Sequence, residues 1–419
     1  MMGLILKNAS VLATPLGNTL KMGKEMGDLK IIENGCIITE GGIIKAVGGP
    51  EILSDIDENE YEVIDCTGKT ILPGFVDSHT HFVWGGYREN EFSWRLQGVS
   101  YVSIMERGGG IKATTTATRQ ASFEELLKVG KKRMKSMAGF GVTTVEGKSG
   151  YGLDKETELR QLEVMKALKD EKLQRLVTTY MGAHDVPEEY KGKSMEYIKY
   201  CINEVMPMVK ERDLADFVDI FTEKGVFDLE ETKVYLNAAK DMGFKIKMHA
   251  DELNEGFKAS ELAGELKCTS ADHLLKISDE GMMALKDNKV SATLLPLTAF
   301  SIKAPYAKAR EMVDKGLGVS LATDMNPGSC YSESIPLLIA LSSIYMGLTI
   351  EEIITGLTLN GSYAVGLSDV TGSLEVGKSA DIAVFDVPNH RFLNYHFGVN
   401  ECCLTIASGR VIYKKSGVI

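Results

Sequence analysis

The sequence predicts a (β/α)8 barrel that carries a small β-sandwich built from both chain ends. Three observations predict it. Short β-like runs with turn signals fill residues 1–70 and return after Leu374. Between them, eight apolar strand candidates alternate with amphipathic segments. Five of the seven histidines end or closely follow those strand candidates.

Residues 1–70 contain GLILKNASVLAT, LKIIENG, CIITEGGIIKAVGG and YEVIDCTG, punctuated by the turn dipeptides Asn34-Gly35 and Gly41-Gly42. Residues 71–373 hold the barrel candidates, in order ILPGFVDSHTH, VTTVEGKSG, RLVTTYMGAH, ADFVDIFTEKG, KIKMHADE, TSADHL, SATLLP and GVSLATDMNP. Helical segments lie between most of them. FEELLKVGKKRMKSMAGFG and KETELRQLEVMKALKDEK place apolar residues three and four apart, opposite a charged face. Residues 374–419 return to the β style in LEVGKSADIAVFDV and CCLTIASGRVIYKK. The two ends are expected to form one β-sandwich clasping the barrel. A doubly wound open sheet is the alternative, but it carries a Gly-rich turn after its first strand, where this chain has histidines.

Composition narrows the function classes. With 419 residues, 44% hydrophobic and 25% charged, the chain can bury a large core and has the make-up of a soluble globular enzyme. Its net charge of -11 argues against nucleic acid or an anionic membrane as partner. No apolar stretch approaches the ~20 residues of a membrane helix. The start MMGLILKNASVLATP lacks the basic and long apolar segments of a signal peptide. Seven scattered cysteines without a C-x-x-C pair read as reduced thiols in a cytosolic protein.

The chemistry begins with His79 and His81. Side chains alternate along a strand, so the two imidazoles face the same side and can chelate one metal ion. In a barrel the strand C-termini open onto one face, where active sites sit. His249 at the end of strand 5 and Asp324 in Thr323-Asp324-Met325-Asn326 at the end of strand 8 converge there. Three nitrogens and one oxygen suit zinc or a first-row metal such as iron. Each residue alone is commonly structural; their shared placement carries the reading. A metal ion lowers the pKa of a coordinated water toward ~7. Glu252, three residues past His249, is the candidate proton shuttle, the alternative being a carboxylate at a helix N-terminus. His273, ending strand 6, is placed to hydrogen-bond a carbonyl or the attacking oxygen, the alternative being a packed core histidine. His390 and His396 fall in the C-terminal β region and receive no role.

PGFVDSHTH, HADE, SADH and ATDMNPGS resemble the metal-dependent amidohydrolase superfamily. More narrowly, GGYRENEFSWRLQGVSYVSIMERGGGI, VTTVEGKSGYGLD, GAHDVPEEY and LATDMNPGS resemble the imidazolonepropionase family over nearly the whole chain. The RLQGVSY…GGGI and KSGYGLD stretches are the specific ones.

That resemblance implies hydrolysis of 4-imidazolone-5-propanoate to N-formimino-L-glutamate, the third step of histidine degradation, by opening the ring at its amide C–N bond. It implies one zinc or iron ion, a small-molecule substrate, a homodimer and a cytoplasmic location. It also implies no carbamylated lysine, and none of Phe217 to Phe221 is a lysine. The substrate propionate calls for a cation, and Arg88, seven residues after His81, is the candidate, unless it only pairs with Glu89 or Glu91. Tyr151, His184, Asn326, Gly328 and Ser329 match family substrate contacts, with Tyr101 in GVSY a weaker candidate, although Tyr151 could cap a turn and Ser329 the next helix. Two departures stand out: Asp185 where the family has a small residue, and Leu297 where it often has Gly. A deaminase of an amino-heterocycle would use the same metal, Glu252 and His273, but a neutral base needs no Arg88 clamp. A non-catalytic scaffold would have lost ligands, and all are present here.

Overall fold

The computed structural model describes residues 3–99, 103–104 and 107–419. Tyr101 therefore lies outside the described residues. Eight strands form the barrel: β1 (Phe75–Asp77), β2 (Val142–Lys148), β3 (Arg175–Ala183), β4 (Phe217–Thr222), β5 (Lys245–Ala250), β6 (Ser270–His273), β7 (Ser291–Leu294) and β8 (Val319–Leu321). Each pairs in parallel with the next in sequence. Their near-continuous burial is what a sheet covered on both faces requires.

The barrel closes beyond the ladders of β1 and β8. Thr80 bridges Met325 in parallel, His81 N donates to Met325 O at 2.9 Å, and Asp324 N donates to His79 O at 3.0 Å. Closure thus runs through the two segments that carry the candidate ligands.

The predicted helices form where capping permits. Ser122 and Glu125 make a capping box at the start of helix Phe123–Ala138, and Asp154 caps helix Lys155–Asp170. Both helices turn Leu, Met or Val side chains into the main core, which surrounds the barrel.

The ILPGFVDSHTH run is two strands. Thr70–Pro73 belongs to a separate sheet, and Phe75–Asp77 to the barrel. Gly74 joins them where no side chain fits: a Cβ there would lie 2.2 Å from Thr143 Cγ2. His79 and His81 follow β1 rather than end its ladder.

Strands from both chain ends form the second sheet. They are Gly3–Thr14, Lys30–Glu40, Ile43–Gly48, Tyr61–Asp65, Thr70–Pro73, Ile382–Phe385, Cys402–Ala407 and Arg410–Lys414. The expected sandwich is one continuous mixed sheet rather than two separately bonded ones. Its halves join where Thr70–Pro73 pairs antiparallel with Ile382–Phe385. Gly3–Thr14 breaks register between Leu6 and Ala9, with Asn8 at φ 63°; such a bulge bends a strand. The sheet encloses its own core of Leu6, Leu12, Ile37, Ile44, Ile382, Leu404 and Ile406.

All seven cysteines are free and buried. Among the described residues, no helix is long and apolar enough to cross a membrane.

Candidate active site

The C-terminal ends of the barrel strands bring the predicted ligands together. The ring centroids of His79 and His249 are 4.5 Å apart, those of His79 and His81 5.5 Å, and those of His81 and His249 5.7 Å. Asp324 Oδ1 lies 3.5 Å from His79 Nε2 and 3.9 Å from His81 Nε2. One ligand atom from each of His79, His81 and His249 falls within 4.8 Å of the others, and the same holds for His79, His273 and Asp324. His273 is therefore close enough to join the ligand set, a role the sequence reading did not give it.

Chemistry supports a cation at this cluster. His79 Nε2, both ring nitrogens of His249, His81 Nδ1 and His273 Nδ1 are buried without a hydrogen-bond partner. Buried polar atoms are rarely left unpaired, because burial without a partner costs free energy. Burial, followed by Lys148 for His79, His184 for His81 and His249 for His273, holds the imidazoles of His79, His81 and His273 well below their usual pKa. They are neutral, with lone pairs to offer. The residues present thus fit a zinc- or iron-sized ion.

Backbone strain concentrates here. Asp251, His273 and Asp324 adopt φ of 49°, 80° and 51°, a region non-glycine residues rarely occupy. Thr298 Oγ1 donates to Asp324 Oδ2 at 2.6 Å. Burial nevertheless pushes the Asp324 carboxyl up to about 6.

Glu252 sits after β5 with its Oε1 3.6 Å from His273 Nδ1. Burial, then the Asp324 and Glu223 charges, push its carboxyl up to about 8. Carboxylates hold its loop from both sides. Asp251 accepts from Ala259 N at 3.0 Å and Ser260 N at 3.1 Å. Glu223, at the end of β4, accepts from Leu253 N at 2.8 Å and Asn254 Nδ2 at 2.9 Å. Sequence reasoning missed Glu223; the only signal was a charge at a strand end.

A cavity of about 540 Å³ opens over the cluster, lined by His81, His249, Glu252, His273 and Asp324 together with Arg88, Tyr151, His184, Asn326, Gly328 and Ser329. His184 stacks on His81 with centroids 4.8 Å apart, and its Nδ1 faces Gly150 O at 3.0 Å. Tyr151 is buried beside this stacked pair, 5.6 Å from His81 and 5.2 Å from His184. Arg88 Nε donates to Glu91 Oε2 at 2.9 Å and its Nη2 pairs with Glu91 Oε1. Glu91 also accepts from Gly110 N at 2.8 Å, tying the GGG segment to the helix Glu89–Leu96. The ion pair with Glu91 and the place on the cavity wall coexist.

Asn326 organises the loop after β8. Its Oδ1 accepts from Gly328 N at 2.9 Å and Ser329 N at 2.8 Å, and its Nδ2 donates to Asp324 O at 2.8 Å. Ser334, not Ser329, caps the following helix Ile335–Ile344. The two departures lie off this cavity. Asp185 turns its carboxylate to Val186 N at 2.8 Å. Leu297 lines a neighbouring cavity of about 570 Å³, which shares Arg88, Arg95, Gly328 and Ser329 with the first.

The architecture and site define a metal-dependent hydrolase of the amidohydrolase type. Residues 70–412 match the model of the Amidohydrolase family, and the chain belongs to that family. The fold also matches a triazine hydrolase variant at 15% identity with a TM-score of 0.74, over 99% of this chain and 95% of that one. Family membership and the histidine–aspartate cluster together indicate a metal ion at the site.

Within the amidohydrolases, the chain belongs to the imidazolonepropionase family. It is 51% identical to the imidazolonepropionase of Clostridium tetani over 413 residues, 98% of each chain. It is 52% identical to that of Phocaeicola vulgatus over 412 residues, covering 98% of this chain and 99% of the relative.

Proposed function

We propose that the chain hydrolyses 4-imidazolone-5-propanoate to N-formimino-L-glutamate, the third step of histidine degradation. The observation that carries this reading is one cavity holding both a cluster of unpaired imidazoles with Glu252 and, on its wall, the Arg88 guanidinium. Full-length identity near one half to imidazolonepropionases supports it.

His79, His81, His249 and Asp324 would hold the ion, zinc or iron, since a three-nitrogen, one-oxygen set takes either. When bound, the ion supplies Lewis-acid polarisation and a more acidic water. The chain's own residues do the rest. Glu252 takes a proton from the attacking water, whose oxygen bonds to the ring carbonyl carbon. Glu252 then returns that proton to the ring nitrogen as the amide C–N bond breaks. His273 hydrogen-bonds the oxyanion that develops on the former carbonyl oxygen. Glu91 occupies Nε and one Nη2 hydrogen of Arg88, leaving the Nη1–Nη2 edge for the propionate. Tyr151, His184, Gly328 and Ser329 complete the substrate wall, with Asn326 shaping it and Tyr101 assigned on the resemblance alone.

A cytoplasmic location fits the seven free, buried cysteines. A homodimer belongs to the same reading, and size-exclusion chromatography with light scattering tests it. A deaminase acting on a neutral heterocycle leaves Arg88 without a purpose. Purified, metal-replete protein should abolish the ultraviolet band of synthetic imidazolone propionate; a persistent band rejects the substrate assignment. Elemental analysis of native protein decides between zinc and iron.

A further inference from the structure

Beneath the candidate ligands lies a layer of buried charge that the mechanism does not use. Lys148, ending β2, is wholly buried, with Nζ 2.7 Å from Asp219 Oδ2, 2.8 Å from Glu146 Oε1 and 3.7 Å from Asp272 Oδ2. Asp272 Oδ2 lies 2.6 Å from His79 Nδ1. Asp219 Oδ2 lies 3.1 Å from His249 Nδ1, although not aligned for a hydrogen bond. Lys247 donates to Ser78 O, one residue before His79, at 2.9 Å.

Barrel interiors are ordinarily filled by branched aliphatic side chains. Five buried ionisable groups in their place are expensive to desolvate, and packed apolar residues usually serve stability as well or better. The layer therefore calls for a purpose beyond stability. Lys148 touches both aspartates, and each aspartate faces the Nδ1 of a different ligand histidine.

We propose that Lys148 is a positioning residue of the metal centre. It holds the Asp219 carboxylate at 2.7 Å and borders that of Asp272 at 3.7 Å, fixing where both lie beneath the ligands. Through Asp272 it fixes His79 in the Nδ1–H tautomer, with the Nε2 lone pair turned toward the metal position, and through Asp219 it sets the carboxylate that borders His249. The inference rests on the metal-site reading above, and no step of the hydrolysis depends on Lys148 touching substrate.

The test uses full-length, metal-stripped protein at low temperature, comparing wild type with Lys148→Met and Lys148→Gln. Removing the cation leaves two aspartates buried without it, so both variants should melt lower. Melting alone is a structural readout; zinc affinity and tautomer state are the deciding ones. Competition against a zinc chelator should show a tenfold to hundredfold loss of affinity, the range typical for groups that orient metal ligands. Side-chain nitrogen NMR of histidine-labelled protein should show Nδ1–H on His79 in wild type and a mixture in the variants. Zinc affinity within twofold of wild type in a folded variant overturns the proposal. If neither variant folds, the wild-type spectrum alone decides, and Nε2–H on His79 overturns it. Wild-type protein that takes up no zinc or iron would reject the metal-site reading itself, a separate result.

Discussion

A Cβ on residue 328 would lie 2.2 Å from Nη1 of Arg88. The guanidinium and the loop after β8 are in contact, and only glycine leaves room for it. Glu91 holds the other side of the same guanidinium. Gly328→Ala should therefore displace Arg88 from the cavity wall. Charge-assisted hydrogen bonds contribute about 1.5–3 kcal/mol. The Michaelis constant should rise by roughly 10-fold or more on that scale, with metal content unchanged by elemental analysis.

Arg88→Ala removes the clamp outright. Steady-state kinetics should show a raised Michaelis constant for the propionate substrate and a much smaller change for an analogue lacking the carboxylate. An equal loss on both substrates rejects the clamp.

Glu252→Gln should keep its metal and lose turnover by a factor on the order of 10²–10⁴, the usual worth of a positioned acid–base group. The same variant carries a pH signature in the metal-free protein. The folded Glu252 carboxyl is pushed up to about 8 by burial and then by Asp324 and Glu223. Its usual unfolded value is ~4.3, so between these two pH values the folded state binds more protons than the unfolded one. Stability from this group is whole below the unfolded value and is lost as pH rises through the folded one. The neutral glutamine escapes that loss. The melting temperature of Glu252→Gln relative to wild type should climb steadily across this window; a flat difference removes the buried, raised carboxyl.

Stripping the metal with a chelator should abolish turnover and lower the melting temperature, with both restored by zinc or iron. An ion at one hundred times its dissociation constant adds about 2.7 kcal/mol to the folded state. Differential scanning calorimetry checks this, and His249→Ala should reproduce the stripped melting curve whether or not zinc is added.

Gly74 separates the small sheet from β1, with Thr143 2.2 Å from a would-be Cβ. Gly74→Ala should cost about 1–3 kcal/mol through overpacking, seen in chemical denaturation. Turnover per folded molecule should stay near wild type, because the change lies at the opposite end of β1 from His79.

The barrel was legible because its strands are apolar, bounded by turns and spaced by amphipathic helices. The site was legible where chemistry is local: His79 and His81 two residues apart, Glu252 three past His249, Asp324 in a strand-end motif. Arg88 was read on the loop after strand 1 with Glu89 or Glu91 as alternative partners, and the pair formed is with Glu91. What escaped depends on contacts between strands. Lys148 in VTTVEGK looks like an ordinary strand end, and no sequence period announces that it meets Asp219 and Asp272. His273 was placed to hydrogen-bond a carbonyl or the attacking oxygen; its nearness to His79 and Asp324 is a contact between strand ends that sequence does not display. That the two chain ends bond into one sheet rests on Thr70–Pro73 pairing with Ile382–Phe385, a contact between distant segments.

The most direct test of the central claim is the fate of solvent oxygen. Metal-replete protein is incubated with imidazolone propionate in ¹⁸O-water, and the product is analysed by mass spectrometry. The account predicts N-formimino-L-glutamate with one heavy oxygen in the new carboxylate and no ammonia released. Unchanged substrate, or ammonia with a closed ring, would contradict it.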